Sequence, residues 1–201
     1  MAEYFKIKAT PVDGDGAFLV NKLFNRLHGI FAKEGLCLGL GFPQWDEYTI
    51  GMIITVFGTK AELERVSAND GLSELVEKKL IQVDRVKDVP QDANKVVFVR
   101  DTACEWVNPA VLRRQMRQLK AECAKENRPW DEEAYLASHG KESRKDRAKL
   151  PFVTVERSKA SFRFYINRLE YTGEAQATNG SFSQYGLSQE QPSPTAWVYE
   201  V

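Results

Sequence analysis

Through the first hundred residues the apolar pattern alternates, in a fixed succession, between the two-residue period of a strand and the 3.6-residue period of a helix. The stretch YFKIKAT puts Phe5, Ile7 and Ala9 on one face and Tyr4, Lys6 and Lys8 on the other, which reads as a strand. The turn VDGDG leads to Val20, Leu23, Phe24, Leu27 and Phe31 at helical spacing. They predict an amphipathic helix of about four turns from Ala17, with His28 near its end and Gly29 permitting it to stop. LCLGLGF alternates again, and TIGMIITVF is an apolar, β-branched strand. TKAELERV opens a second helix with Thr59 and Glu62 at capping-box spacing. That helix breaks at ANDG and resumes through LSELVEKKL, before the strand-like IQVDRVKDV and KVVFVRD.

Strand, helix, strand, strand, helix, strand is the order of a ferredoxin-like unit. The expected fold class is therefore α+β. A ferredoxin-like (RRM-like) βαββαβ domain is expected over residues 1–100, and a smaller α+β region with an arginine-bearing helix over residues 101–201. In that second region NPAVLRRQMRQLKAECAKE reads as a helix with Pro109 in its first turn. LPFVTVERSKASFRFYINRLE reads as two strands about a turn at Ser158–Ala160, and FSQYGLS and TAWVYEV as further strands.

Composition removes several classes of function. Hydrophobic residues make up 43% of the 201-residue chain, enough for a packed core. No apolar run approaches the roughly 20 residues that span a bilayer, and the amino terminus lacks a secretory pattern. Cys37, Cys104 and Cys123 are odd in number and have no CxxC spacing, which fits buried thiols in a reducing compartment. The expectation is a soluble cytoplasmic protein with no membrane partner. Equal numbers of basic and acidic residues, 28 each, argue against a generally basic nucleic-acid binder. That balance hides local asymmetry, because VLRRQMRQLK holds four cations and no acid.

Arg113, Arg114, Arg117 and Lys120 fall on one broad face of the predicted helix, which suits the charge-assisted contacts of a phosphate backbone. A solvated helix face has the same signature. His28 lies just off the Leu23–Phe24–Leu27 stripe, at the border of buried and exposed. Imidazole titrates close to neutrality and serves as general acid or base; a boundary histidine with satisfied partners would occupy the same position. His139, in a charged loop, reads as solvated. No zincin, paired Cys/His or phosphate-loop motif is present. The aromatic residues of SFRFYI and SFSQY suit either base stacking or a strand core.

Several blocks in order, LFNRLHGIF, LGLGFPQW, the basic helix after VR, LPFVTVERS with FRFYI, and FSQYGLS, resemble the type I-F (Csy-type) CRISPR pre-crRNA processing endoribonucleases of the RAMP superfamily. The resemblance implies a protein that binds the stem-loop of a CRISPR repeat and cuts once at the 3′ base of the stem. It implies no metal or other cofactor. It also implies that the protein stays on the product hairpin, beside the other subunits of the type I-F surveillance complex. The family's catalytic histidine falls on His28, its tyrosine before GLS on Tyr185 and its stacking phenylalanine on Phe162. The arginine-rich helix that enters the hairpin's major groove corresponds to the face carrying Arg113, Arg114, Arg117 and Lys120.

Three departures stand out. The turn after LPFVTV is shorter than the family's, so its serine aligns with Arg157, and Ser158 is reached by a one-residue shift. The family's Arg-x-Gln ahead of the basic helix is RDT here: Arg100 keeps a bidentate donor for guanine, and Thr102 lacks the two-pronged amide for adenine. Gln115 and Gln118 stand where the family often has arginine, which predicts fewer phosphate contacts. The sequence leaves three alternatives: a metal-independent endoribonuclease, a hairpin-binding structural subunit with little or no catalysis, or a ferredoxin-like protein that binds no nucleic acid.

Overall fold

The computed structural model describes residues 3–11, 14–102, 109–138, 150–157, 160–171, 173, 182–189 and 196–201, with backbone alone at 109–112, 137–138, 157 and 160. The strands are β1 (Glu3–Ala9), β2 (Gly39–Gly41), β3 (Ile53–Gly58), β4 (Ile81–Val83), β5 (Lys87–Asp88), β6 (Lys95–Arg100), β7 (Phe152–Arg157), β8 (Ala160–Glu170) and β9 (Val198–Tyr199). The helices are α1 (Gly16–Glu34), α2 (Lys60–Ser67), α3 (Asp70–Glu77), α4 (Pro109–Lys125) and α5 (Glu132–Ser138). Among the described residues no helix is long and apolar enough to cross a membrane.

Two antiparallel sheets organise these elements. The first has the order β2-β3-β1-β4, with β5 also on β1, which is the strand order of a ferredoxin-like βαββαβ unit. Phe5 and Ile7 of β1 sit opposite Val56 and Ile54 of β3, and all four are fully buried. The fourth strand of this unit is the three-residue β4. The later segment KVVFVRD leaves this sheet and supplies β6 of the second, ordered β7-β8-β6-β9. Val96, Val97, Phe98 and Val99 are all buried, and the strand takes a central place in that sheet, between β8 and β9. Residues of both sheets join one hydrophobic core.

Helix α1 covers the first sheet with Leu19, Val20, Leu23, Phe24, Leu27, Ile30 and Phe31. Asp15 starts it by accepting hydrogen bonds from the N–H groups of Ala17 and Phe18. The helix does not stop near Gly29. Ile30 and Phe31 extend the apolar stripe, and a single interior glycine costs only about 1 kcal/mol. The end comes at Gly35, whose left-handed φ of 64° turns its N–H onto the Phe31 carbonyl. His28 therefore sits inside the helix with a full turn of helix beyond it.

The expected break between the second and third helices occurs at Ala68–Asn69, with the Asn69 side chain capping α3 through Gly71 N–H. The Thr59 N–H donates to the Glu62 carboxylate, as the capping-box spacing requires. Helix α4 begins at Pro109 as expected and turns into α5, where Trp130 packs on Tyr135. Cys123 is buried, whereas Cys37 is exposed, contrary to the buried thiol expected; the alternating Leu36, Leu38 and Leu40 fill the core and leave Cys37 facing outward. Cys104 lies outside the described residues.

Candidate nucleic-acid interface and catalytic site

The geometry starts from the turn between β8 and β9 that contains Tyr185. Gly186 has φ 74°, and a Cβ there would lie 2.3 Å from Leu40 Cγ, so only glycine fits. Its carbonyl accepts the Leu40 N–H, and its own N–H donates to the Ser183 carbonyl. Leu187 is buried, Ser188 N–H donates to the Phe98 carbonyl, and Ser188 Oγ accepts from Ala196 N–H. GLS is thus a structural anchor tied to β2 and β6. What it presents is the residue pair just before it.

Those two residues hold the histidine. The Tyr185 ring stacks on the His28 imidazole, with centroids 3.9 Å apart and planes 16° from parallel. His28 Nδ1 lies 2.9 Å from the Gln184 carbonyl oxygen. A carbonyl only accepts, so Nδ1 carries the proton and a neutral imidazole keeps its lone pair on Nε2. The ring is half-buried. Its orientation and tautomer are therefore set by groups from across the fold, 156 residues away in sequence.

Behind Tyr185 stands an aromatic cluster that reaches the second sheet. Its ring packs on Phe164 at 4.6 Å and stacks on Phe24 at 6.4 Å. Phe162 meets Phe164 at 6.4 Å on the same face of β8. The Arg100 guanidinium lies over both, 4.8 Å from the Phe164 centroid and 5.6 Å from that of Phe162, a cation–π arrangement. His28, Tyr185, Phe162 and Arg100 therefore share one cluster. Thr102 is exposed two residues beyond Arg100, just past the end of β6.

The predicted cations of α4 form a second group. Arg113, Arg114, Arg117 and Lys120 are all exposed on α4. Three of them, Arg113, Arg117 and Lys120, line an open cavity of about 580 Å³ with Met116, Trp130 and Glu132. Arg157 ends β7 opposite Ala160, with only its backbone described, and Ser158 lies outside the described residues, as does His139.

Sequence reasoning missed four contributors. The Gln184 carbonyl is a backbone group and leaves no trace in side-chain pattern. Phe164 reads in the sequence as one of the aromatic residues of a strand, and nothing there pairs it with the histidine. Asn21 and Asn25 bind the edge of β7 from α1. Nothing local marks them, because two polar residues four apart beside an apolar stripe are ordinary on an amphipathic helix.

A family model described as CRISPR-associated protein (Cas_Csy4) matches residues 4–196, from the start of β1 to the segment leading into β9. No curated protein matches the chain.

Proposed function

Because the chain belongs to the Cas_Csy4 family of CRISPR-associated proteins, whose role is the processing of CRISPR RNA, we propose that it is a sequence-specific, metal-independent endoribonuclease acting on the repeat stem-loop of its own pre-crRNA. The observation that carries this reading is the state of His28: Nδ1 held by the Gln184 carbonyl, the ring braced by Tyr185, and Nε2 left as the reactive nitrogen.

In the proposed reaction the 2′-hydroxyl upstream of the scissile phosphate attacks phosphorus, and the 5′ oxygen of the next nucleotide leaves. The products are a 2′,3′-cyclic phosphate and a 5′-hydroxyl at the 3′ base of the stem, and a 3′ phosphate forms when water then opens the cyclic ester. His28 Nε2 assists the proton transfer that this displacement requires, a contribution of roughly 10²–10⁴-fold. Fixing the tautomer in advance removes the cost of reorienting the ring in the transition state. Tyr185 acts by bracing the ring. Arg157 at the end of β7, or Ser158 next to it in sequence, works on the phosphate or the attacking hydroxyl.

Recognition divides between two surfaces. Arg100 reads guanine near the stem foot through its paired donors, and Phe162 offers a ring for the terminal base. Thr102 beside it relaxes or alters the choice of the neighbouring base. The cations of α4 bind phosphates of the stem, and the bound product hairpin keeps the protein in the surveillance complex with other type I-F subunits.

The test is cleavage of the cognate repeat in the presence of EDTA, beside the same RNA with a 2′-deoxy sugar at the scissile nucleotide. Cutting in chelator, abolished by the single deoxy substitution, is the expected result. Cutting that needs a divalent cation, or that survives the deoxy sugar, overturns the mechanism. Tight binding with no cutting at all leaves the hairpin-binding subunit as the function.

A further inference from the structure

Strand β7 is an edge of the second sheet, and the N–H and C=O of any one residue in a strand point to the same side. The outward groups of β7 belong to Phe152, Thr154 and Glu156, and a helix meets both groups of Thr154 and the N–H of Glu156. Asn21 Oδ1 accepts the Thr154 N–H at 3.0 Å, Asn25 Nδ2 donates to the Thr154 carbonyl at 2.7 Å, and Asn25 Oδ1 accepts the Glu156 N–H at 3.2 Å. Asn25 Nδ2 also donates to the Asn21 carbonyl at 2.8 Å, which locks its amide orientation. The two carboxamides take the place of a neighbouring strand.

The spacing explains why a helix can do this. Four helical residues advance about 6 Å, and two strand residues about 6.6 Å, so Asn21 and Asn25 keep step with Thr154 and Glu156. Helix and strand run in the same direction, since the later asparagine reaches the later strand residue. Asn21, Asn25 and His28 stand at i, i+4 and i+7, on one face of α1. His28 lies about 4.5 Å beyond Asn25 along the helix, which brings it level with the end of β7 at Arg157.

We propose that Asn21 and Asn25 are positioning residues for cleavage: their carboxamides fix α1 in register with β7, and so fix His28 relative to the end of that strand. The inference rests on the reading of His28 as the proton-transfer group. A displacement near 1 Å at such a group costs roughly 100-fold in rate.

The experiment compares wild type, Asn25→Ala, Asn21→Ala, His28→Ala and the Asn25→Ala/His28→Ala double variant. Single-turnover cleavage is measured at saturating enzyme, with Kd for the 2′-deoxy hairpin measured in parallel. Asn25→Ala is expected to slow cleavage by about 10- to 100-fold while Kd stays within about threefold. Asn21→Ala, which loses one crossing bond instead of two, shows the same split with a smaller loss and carries the test if Asn25→Ala does not fold. In the His28→Ala background Asn25→Ala costs nothing further. If His28→Ala abolishes cutting but both asparagine variants cut at the wild-type rate, or lose rate and affinity together, the positioning role falls and the catalytic reading stands. If cutting survives His28→Ala, both fall.

Discussion

Replacing Gly186 by alanine is expected to damage stability and cleavage together, without touching any group proposed to meet the RNA. The alanine Cβ would lie 2.3 Å from Leu40 Cγ, 3.0 Å from Cδ1 and 3.1 Å from Cβ. Leu40 has nowhere to go, being 1% exposed in the middle of β2. A left-handed φ costs an L-residue about 1–2 kcal/mol, and forcing a methyl into a filled core about 1–3 kcal/mol. The stiffer unfolded chain returns about 0.4–1 kcal/mol. The net loss is about 1–4.6 kcal/mol, and for a chain of this size each kcal/mol lowers Tm by about 2–4 °C. Thermal unfolding followed by circular dichroism should show Tm falling by about 2–18 °C. Because the same turn carries Gln184 and Tyr185, the single-turnover rate measured well below the lowered Tm should fall as well. A variant with Tm within a degree or so of wild type would refute the steric argument. Lowered Tm with an unchanged rate would refute the claim that this turn orients His28.

Two further outcomes concern the RNA. Arg100→Ala should weaken hairpin binding by about 1–3 kcal/mol and relax discrimination at one base of the stem foot, measured by competition among single-base variants of the repeat; equal loss on every variant would contradict base reading. Arg113→Gln and Arg117→Gln should each weaken binding alike across sequences and reduce the slope of log Kd against log salt by about one. An unchanged slope would make α4 a solvated face.

How much of this was legible depends on whether the information was local. The α1 stripe, the Thr59–Glu62 cap and the Pro109 start of α4 are encoded within a few residues of where they act, and each appears where the pattern put it. The allegiance of β6 is not local. Four consecutive buried residues signal a central strand, but nothing in them says which sheet will enclose it. Gly29 carried a stop signal that the next two core residues overruled, and Gly35 closed the helix instead. His28 could be singled out only through the blocks it shares with a known family. Its partners, a distant carbonyl and a distant ring, come together through the fold alone. Asn21 and Asn25 look like ordinary polar helix positions until the edge of β7 is laid beside them.

The central claim is that His28 performs proton transfer on a bound RNA hairpin. The most direct measurement is His28→Ala assayed two ways on the cognate repeat: single-turnover cleavage and equilibrium binding. The account predicts a rate lower by roughly 10²–10⁴-fold with affinity preserved. Cleavage at the wild-type rate, or a loss of rate fully explained by lost binding, would contradict it.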